Sequence, residues 1–378
     1  MDLLGYGIML PLLPFFVQAH ASAGSAAIAG ALSALYASSQ LFAGPVLGAL
    51  SDRYGRRPVL LICLFGTSLG YLMLGLADSL PLIFLAVFID GLTGANLTTA
   101  YAYIADVTTS ENRARSMGMV GAAFGLGLMA GPALGGLLSR YGLYVPAFTA
   151  SAIALGNVIF GFFVLPESLP PEKREIKSVS QIFNWGKQFT SLLKQANIQK
   201  FLAAMFLLNL AFAGLQSNFP LYSNFRFQWT PTQNSLFYLY VGVCAVFIQG
   251  FLFGKLQPRF GERRLTLIGL TLMAIGLAGM ALAPASWTLY PAVTIVALGT
   301  GMSIPSLTAL VSLRVSQSEQ GRLMGGTQTL LSLTNIFGPI LAGISFEAIA
   351  FSAPYWLGSI FSIFALMAAS VGFSTRSD

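Results

Sequence analysis

A lone carboxylate, Asp90, interrupts an apolar run in which it is the only charged residue between Ser79 and Ala105. A membrane-crossing helix needs about 20 apolar residues. Asp90 follows Pro81 by roughly ten residues, which places it near the middle of such a helix. A charged side chain at that depth costs a few kcal/mol, so an acid found there is a functional group by default. The chemistry open to it is proton exchange: taking a proton from one side of a membrane and giving it up on the other. The plainer alternative is a hydrogen-bonded packing Asp. A second cluster of ionisable residues is the decapeptide GALSDRYGRR, from Gly48 to Arg57, which joins two long apolar runs. It returns in weakened form as GKLQPRFGER at Gly254 to Arg263, where Gly254, Arg259, Gly261 and Arg263 are kept but Pro258 replaces Asp52. A charged, glycine-punctuated turn repeated after 206 residues points to a duplicated membrane protein.

The elements that must hold these residues follow from composition. Of 378 residues, 55% are hydrophobic and 9% charged, against about 25% charged in soluble proteins. Asp, Glu, Lys and Arg are absent from 3–51, 141–166, 201–225, 227–254, 265–313 and 348–375. Runs this long exceed any barrel strand, and lipid requires an internally satisfied backbone. The reading is therefore all-α, with twelve spans near 2–19, 26–51, 58–77, 80–104, 117–139, 143–165, 199–220, 232–256, 265–283, 287–312, 323–346 and 351–373. Turn signals at His20 to Gly24 and at Pro284 to Trp287 divide the two longest runs. The 40 glycines suit helices packed closely in lipid.

The net charge of +7 does not imply nucleic acid. Of the 20 Lys and Arg, only Arg140 and Arg226 fall in loops on one side. The positive-inside rule then puts both termini in the cytoplasm of a bacterial-type inner membrane. Met1-Asp2 opens directly into the first span, without the basic region of a cleavable signal. Cys63 and Cys244 read as small apolar residues inside spans 3 and 8 rather than as a disulfide framework. One His and two separated Cys give no metal site. No Gly-Lys-Ser/Thr loop is present, so ATP is not the energy source. The chain is not read as an enzyme, and no cofactor is expected.

Two halves are expected, 1–165 and 199–378, each a six-helix bundle, joined by a cytoplasmic linker at 166–198. In the linker, Pro166 to Pro171 breaks helix six and Glu172 to Lys177 is a solvated charge run. Ile182, Trp185, Phe189, Leu192 and Leu193 then recur at helical spacing, opposite Lys187, Gln188 and Lys194, as a short amphipathic helix on the cytoplasmic leaflet. The halves match beyond the decapeptide: Arg115 with Arg322, Gly118 with Gly325 and Pro132 with Pro339 all lie 207 residues apart. Parallel repeats flanking a midplane site are a transporter architecture.

Over its whole length the chain resembles the major facilitator superfamily, and within it the twelve-span drug/proton antiporters, the tetracycline exporters included. Three segments carry the likeness. The first is Gly48, Asp52, Arg53, Gly55, Arg56 and Arg57, with Gln40, Gly44 and Pro45 upstream. Gly48 permits close approach of a neighbouring helix and Gly55 a tight turn. The resemblance implies that Asp52 caps the N-terminus of span 11 near Leu323, that Arg56 bridges Asp52 to Asp106, and that the cluster gates the cytoplasmic side. For Arg53 and Arg57, topology anchoring is an equal alternative. The second segment is in span 5: Gly121, Gly125, Gly131, Pro132, Gly135 and Gly136. This resembles the antiporter signature and implies a seal between the halves that favours exchange; generic close packing is the alternative. The third is span 4, from Ile89-Asp90-Gly91 to Asp106, where Val87 stands in place of the Arg the family usually carries. Asp2, ahead of Gly5-Tyr6-Gly7, resembles the family's span 1 carboxylate and is a second proton-coupling candidate, beside the alternative of a solvated end.

The tetracycline exporters carry a His in span 8 and an acid in span 9. Neither is present here, which argues against a metal–tetracycline complex as cargo. Candidate substrate-binding residues are Asn209, Gln216, Gln249, Gln328 and Asn335, with Phe124 in an apolar pocket. The expected partners are a small-molecule substrate, protons and the lipid bilayer, with no nucleic acid and no obligate protein partner. The function expected is proton-coupled antiport, an efflux of a small, largely apolar compound by alternating access. A proton-coupled symporter or facilitator of a nutrient is the alternative within transport, and a non-transporting membrane sensor the alternative outside it.

Overall fold

The structure, a computed structural model, describes residues 2–21, 23–109, 120, 123, 126, 127, 129–174, 186, 190, 193, 195–315 and 319–374, and excludes the side chains of 2, 173, 196, 321, 322 and 374. The expected amphipathic linker helix falls almost wholly outside the described residues. All regular structure among those described is helical. In chain order the helices are α1 (Asp2–Met9), α2 (Leu13–His20), α3 (Ser25–Tyr54), α4 (Arg56–Gly75), α5 (Leu80–Thr93), α6 (Leu97–Val107), α7 (129–138), α8 (Tyr144–Val164), α9 (Ala196–Phe227), α10 (Pro231–Phe247), α11 (Phe253–Ala281), α12 (Leu289–Ser312), α13 (Gln320–Ala348) and α14 (Ala353–Ser374).

Among the described residues nine helical stretches are long and apolar enough to cross a membrane, and α1 with α2 makes a tenth as a span bent by 41°. The bend falls at Pro11 to Pro14: proline removes an amide donor and restricts the residue before it, and Pro14 sits in the first turn of α2. Span 4 is also broken. A 3-10 turn at Gly94–Asn96 separates α5 from α6. Spans 8 and 9 are joined rather than divided by a loop. Helix runs from Pro231 to Ala281, through a π-helical turn at Ile248–Leu252. Straight, its 51 residues would reach about 76 Å, far beyond a hydrocarbon core of about 30 Å. The turn is Gly261 alone, at φ 68° and ψ 165°, which a residue with a Cβ rarely adopts.

The chain forms two compact units. The first is Met1–Ser25, Ala34–Asn184 and Thr230–Leu239; the second is Ala26–Ser33, Trp185–Trp229 and Tyr240–Asp378. In the first, α4 packs on both α5 and α8. The α4–α8 contact is fixed by reciprocal bonds: Ser68 Oγ donates to the Ser151 carbonyl (2.9 Å) and Ser151 Oγ to the Ser68 carbonyl (2.8 Å). In the second, α11 packs on α12 and α14, and α9 on α13 and α14.

Glycines set the closest approaches, and the two units repeat one of them. A Cβ at Gly70 would lie 3.1 Å from the Ala86 carbonyl oxygen and 3.0 Å from the Asp90 Cβ. A Cβ at Gly276 would lie 3.0 Å from the Ala292 carbonyl oxygen and 2.7 Å from Val296. Each residue of the second set stands 206 after its counterpart in the first. A seam with backbone on both sides joins α7 to α1. A Cβ at Gly131 would lie 2.6 Å from the Gly7 Cα, one at Gly7 2.3 Å from the Gly127 carbonyl oxygen, and one at Gly135 2.7 Å from the Ile8 carbonyl oxygen. Backbone on both sides leaves nothing that can yield. Forcing a side chain into a packed seam costs about 1–3 kcal/mol or more. Gly131→Val should therefore lower the melting temperature of the purified protein by several degrees or prevent its accumulation. Gly156→Ala, where a Cβ meets nothing within 4 Å, should leave melting unchanged. Equal melting of both variants would contradict the seam.

Candidate functional site

Three structural features carry the candidate residues. The first is the end of α3 with the start of α4. Gly55, at φ 107°, lets α3 stop and α4 begin one residue later. That places Arg56 in the first turn of α4, buried, with its Nη1 paired to Asp52 and donating to Ser51 Oγ at 2.7 Å. Its Nε donates to Asp106 Oδ2 at 3.2 Å. The guanidinium thus ties α3, α4 and the end of α6 together, using the fork geometry that lysine lacks. Ser168 Oγ also donates to Asp106 Oδ2, at 3.1 Å.

Glu167 completes this cluster, and it was not among the sequence candidates. Its carboxylate accepts from the amides of Arg56 (2.8 Å), Arg57 (3.2 Å) and Leu169 (3.0 Å). It caps α4, whose own N-cap residue, Gly55, has no side chain. A carboxylate at a helix N-terminus also meets the positive end of the helix dipole. A Cβ on Gly55 would lie 2.3 Å from Glu167 Oε2, so glycine is needed there for two reasons. Arg57 donates through Nη2 to the Phe162 carbonyl near the end of α8 and lies 5.3 Å from the Phe162 ring centroid. Arg53 is exposed and stacks on Tyr54 at 5.0 Å. Among the described residues, a Cβ at Gly48 would meet nothing within 4 Å. Among the described residues the weakened second decapeptide builds no such cluster. Glu262 accepts from its own amide and from Gln257 Nε2 (2.8 Å), which hold its carboxyl below its ordinary value.

The second feature is Asp90. It is 9% exposed and sits one turn before the break at Gly94–Asn96, packed under Gly70 of α4. Tyr6 of α1 lies within electrostatic reach of it. Tyr6 stacks on Tyr36 of α3, with ring centroids 6.0 Å apart, and Tyr238 lies within electrostatic reach of Tyr6. Gln40 Nε2 donates to Tyr36 Oη (3.0 Å) and to the Gly94 carbonyl (3.3 Å). A buried acid, stacked phenols and an amide thus meet where span 4 is broken. Tyr6, Tyr36 and Tyr238 were missed by the sequence reading. Tyr6 could have been flagged by its place in Gly5-Tyr6-Gly7, where neighbouring glycines clear room for the ring.

The third feature is α7. Gly131 and Gly135 face α1 as described above, and Gly136 faces α10, where Thr232 Oγ1 donates to its carbonyl at 2.8 Å. Pro132 is buried beside Gly131. Gly121, Phe124 and Gly125 lie outside the described residues, as does the side chain of Asp2, whose backbone begins α1. The second unit's polar candidates do not share one setting. Asn209 donates to the Met205 carbonyl of its own helix (2.8 Å), and Gln216 is half-buried. Gln249, in the π-helical turn, and Gln328 and Asn335 of α13 are exposed.

The Arg56 cluster gives a clean stability test. Removing the cation leaves two carboxylates facing each other in a part-buried site, which costs up to a few kcal/mol. Arg56→Gln should lower the melting temperature by several degrees, and adding Asp106→Asn should restore part of it. Melting that is unchanged by the first substitution, or lowered further by the second, would contradict the bridge.

Comparison with known proteins agrees with this architecture. The family model for the Major Facilitator Superfamily matches residues 1–284 and 245–377. The tetracycline resistance protein of class C from Escherichia coli is 34% identical over 364 residues, covering 95% of this chain and 89% of that one. Multidrug resistance protein 2 from Bacillus subtilis (strain 168) is 32% identical over 346 residues, covering 91% and 86%. The crystal structure of the nucleoside transporter NupG superposes with a TM-score of 0.76 at 16% identity, covering 100% of this chain and 97% of that chain, a likeness of fold alone. The chain belongs to the major facilitator superfamily and is an integral membrane transporter of that fold.

Proposed function

We propose that this transporter is a proton-coupled antiporter that expels a small, largely apolar compound by alternating access. The observation that carries the reading is Asp90, a buried acid in mid-span beside the break in span 4. An ionised carboxylate is costly at that depth. A change of side therefore goes with a change of protonation, which is what coupling to protons requires. Its repeat counterpart is Val296, so this acid is not duplicated.

The cargo is held by the group around Tyr6, Tyr36 and Gln40. The phenols give apolar faces with polar edges, suited to a flat organic molecule rather than to an ion. The halves 1–165 and 199–378 alternate about the site, with the linker 166–198 and both termini in the cytoplasm of a bacterial-type inner membrane. Asp52, Arg56, Asp106 and Glu167 gate the cytoplasmic side. The glycine seams of α7 make a rigid, tightly packed wall, in keeping with exchange rather than leak. The names of the relatives, which concern resistance to tetracycline and to multiple drugs, support efflux as the direction. A proton entering down a potential of 100 mV supplies about 2.3 kcal/mol. That sustains more than a tenfold gradient of a neutral cargo.

Asp90→Asn keeps the shape and removes the titratable group. In proteoliposomes it should abolish pH-driven transport of any compound the parent protein moves, while binding of that compound, read by tryptophan quenching, stays within about threefold. Unchanged pH-driven transport in this variant would remove Asp90 from the mechanism.

A further inference from the structure

Two helices are each shared between the compact units. The first turns of α3, Ala26–Ser33, cluster with the second unit, while the helix from Ala34 onward clusters with the first. α10 is shared the opposite way: Thr230–Leu239 belong to the first unit and Tyr240 onward to the second. Each shared start is seated on a glycine. A Cβ at Gly343 of α13 would lie 2.4 Å from the Ala26 carbonyl oxygen and 2.9 Å from the Ala27 Cα, and one at Gly30 2.3 Å from the Pro339 carbonyl oxygen. A Cβ at Gly136 of α7 would lie 2.1 Å from the Ser235 Cβ. Gly136 and Gly343 stand 207 residues apart, the spacing of the repeat, so the two seats are copies of one design.

The copies differ in one group. One turn beyond Gly343, Glu347 Oε1 accepts hydrogen bonds from the amides of Ala26 (2.8 Å) and Ala27 (3.1 Å). At the corresponding place, 207 residues earlier, stands Arg140. The first amides of α3 have no local acceptor, because its N-cap residue is Gly24 at φ 75°. An ionised carboxylate there makes charge-assisted bonds and meets the positive end of the helix. Glu347 is exposed, so when it lets go, water replaces the two amides and no buried charge is left behind.

We propose that Glu347 is a positioning residue of the transport cycle, a clip that holds the first turn of α3 on α13 and must open in every cycle. Any movement of one unit against the other bends α3 near Ser33 or pulls Ala26 and Ala27 away from Glu347. The helix is regular through that stretch, and two solvent-reachable hydrogen bonds yield before a continuous helical ladder does. The proposal rests on transport by this chain, not on proton coupling.

The test is thiol labelling of the full chain in liposomes with no compound added. Cys63 and Cys244 are replaced by Ala, and Ala29→Cys, at a position 3% exposed in the shared segment, is the reporter for a membrane-impermeant maleimide. Glu347→Gln and Glu347→Ala should each raise the labelling rate at least fivefold, with melting temperatures close to the parent. Ala27→Pro removes one of the two donors in the first turn, where proline is tolerated. It should raise labelling when Glu347 is present and add nothing to Glu347→Ala. Unchanged labelling in the Glu347 variants overturns the clip, as does full additivity with Ala27→Pro. A lowered melting temperature with unchanged labelling makes Glu347 a structural cap and overturns it equally. Neither a proton gradient nor a cargo is needed, so this result and the antiport reading can fail separately.

Discussion

Inside a membrane every charge and every open helix end must find a partner within the protein. With 9% charged residues, this chain meets that constraint by joining distant pieces. None of α2 to α6, α8, α9 or α11 to α13 caps its own start with an N-cap side chain. Glu167 closes the start of α4 and Glu347 the start of α3. Arg57 serves the Phe162 carbonyl and Arg226 the Ala283 carbonyl, at helix ends far from each in sequence. Arg56 sits between two acids from two other helices. The bonds that complete the starts of α3 and α4 are therefore bonds that hold helices to other parts of the chain. A change in the arrangement of helices has to break a few of them in a defined place.

Packing and chemistry obey different rules across the repeat. The close approach of spans 3 and 4 at Gly70 returns at Gly276, and the seat at Gly136 returns at Gly343. Two helices cannot cross closely without small residues, so duplication keeps them. Three of the acids are not duplicated. Asp52 has Pro258 as its counterpart, Asp90 has Val296, and Glu347 has Arg140. Each further acid buried in a span would add a desolvation cost.

Much of this was legible in the sequence because it depends on local pattern. Uncharged runs give spans, the spacing of Arg and Lys gives loops, and the depth of Asp90 follows from counting residues. What stayed hidden depends on partners far along the chain. Glu167 reads as part of a linker until the amides of Arg56 and Arg57, over a hundred residues earlier, are seen to converge on it. Glu347 reads as a loop acid until Ala26 and Ala27 are placed beside it. The break at Gly94–Asn96 was signalled by Gly91, Gly94 and Asn96, yet a span can carry such residues without breaking. Helix continuity between spans 8 and 9 was invisible because one glycine, Gly261, makes the turn while its neighbours stay helical.

The central claim is that inward proton movement drives a compound outward through the site at Asp90. The most direct measurement is compound-evoked proton flux in proteoliposomes holding an internal pH dye, with a panel of flat, largely apolar compounds placed on one side. The account predicts that at least one compound drives protons in the direction opposite to its own movement, and that this flux disappears with Asp90→Asn. Proton movement in the same direction as the compound would contradict it.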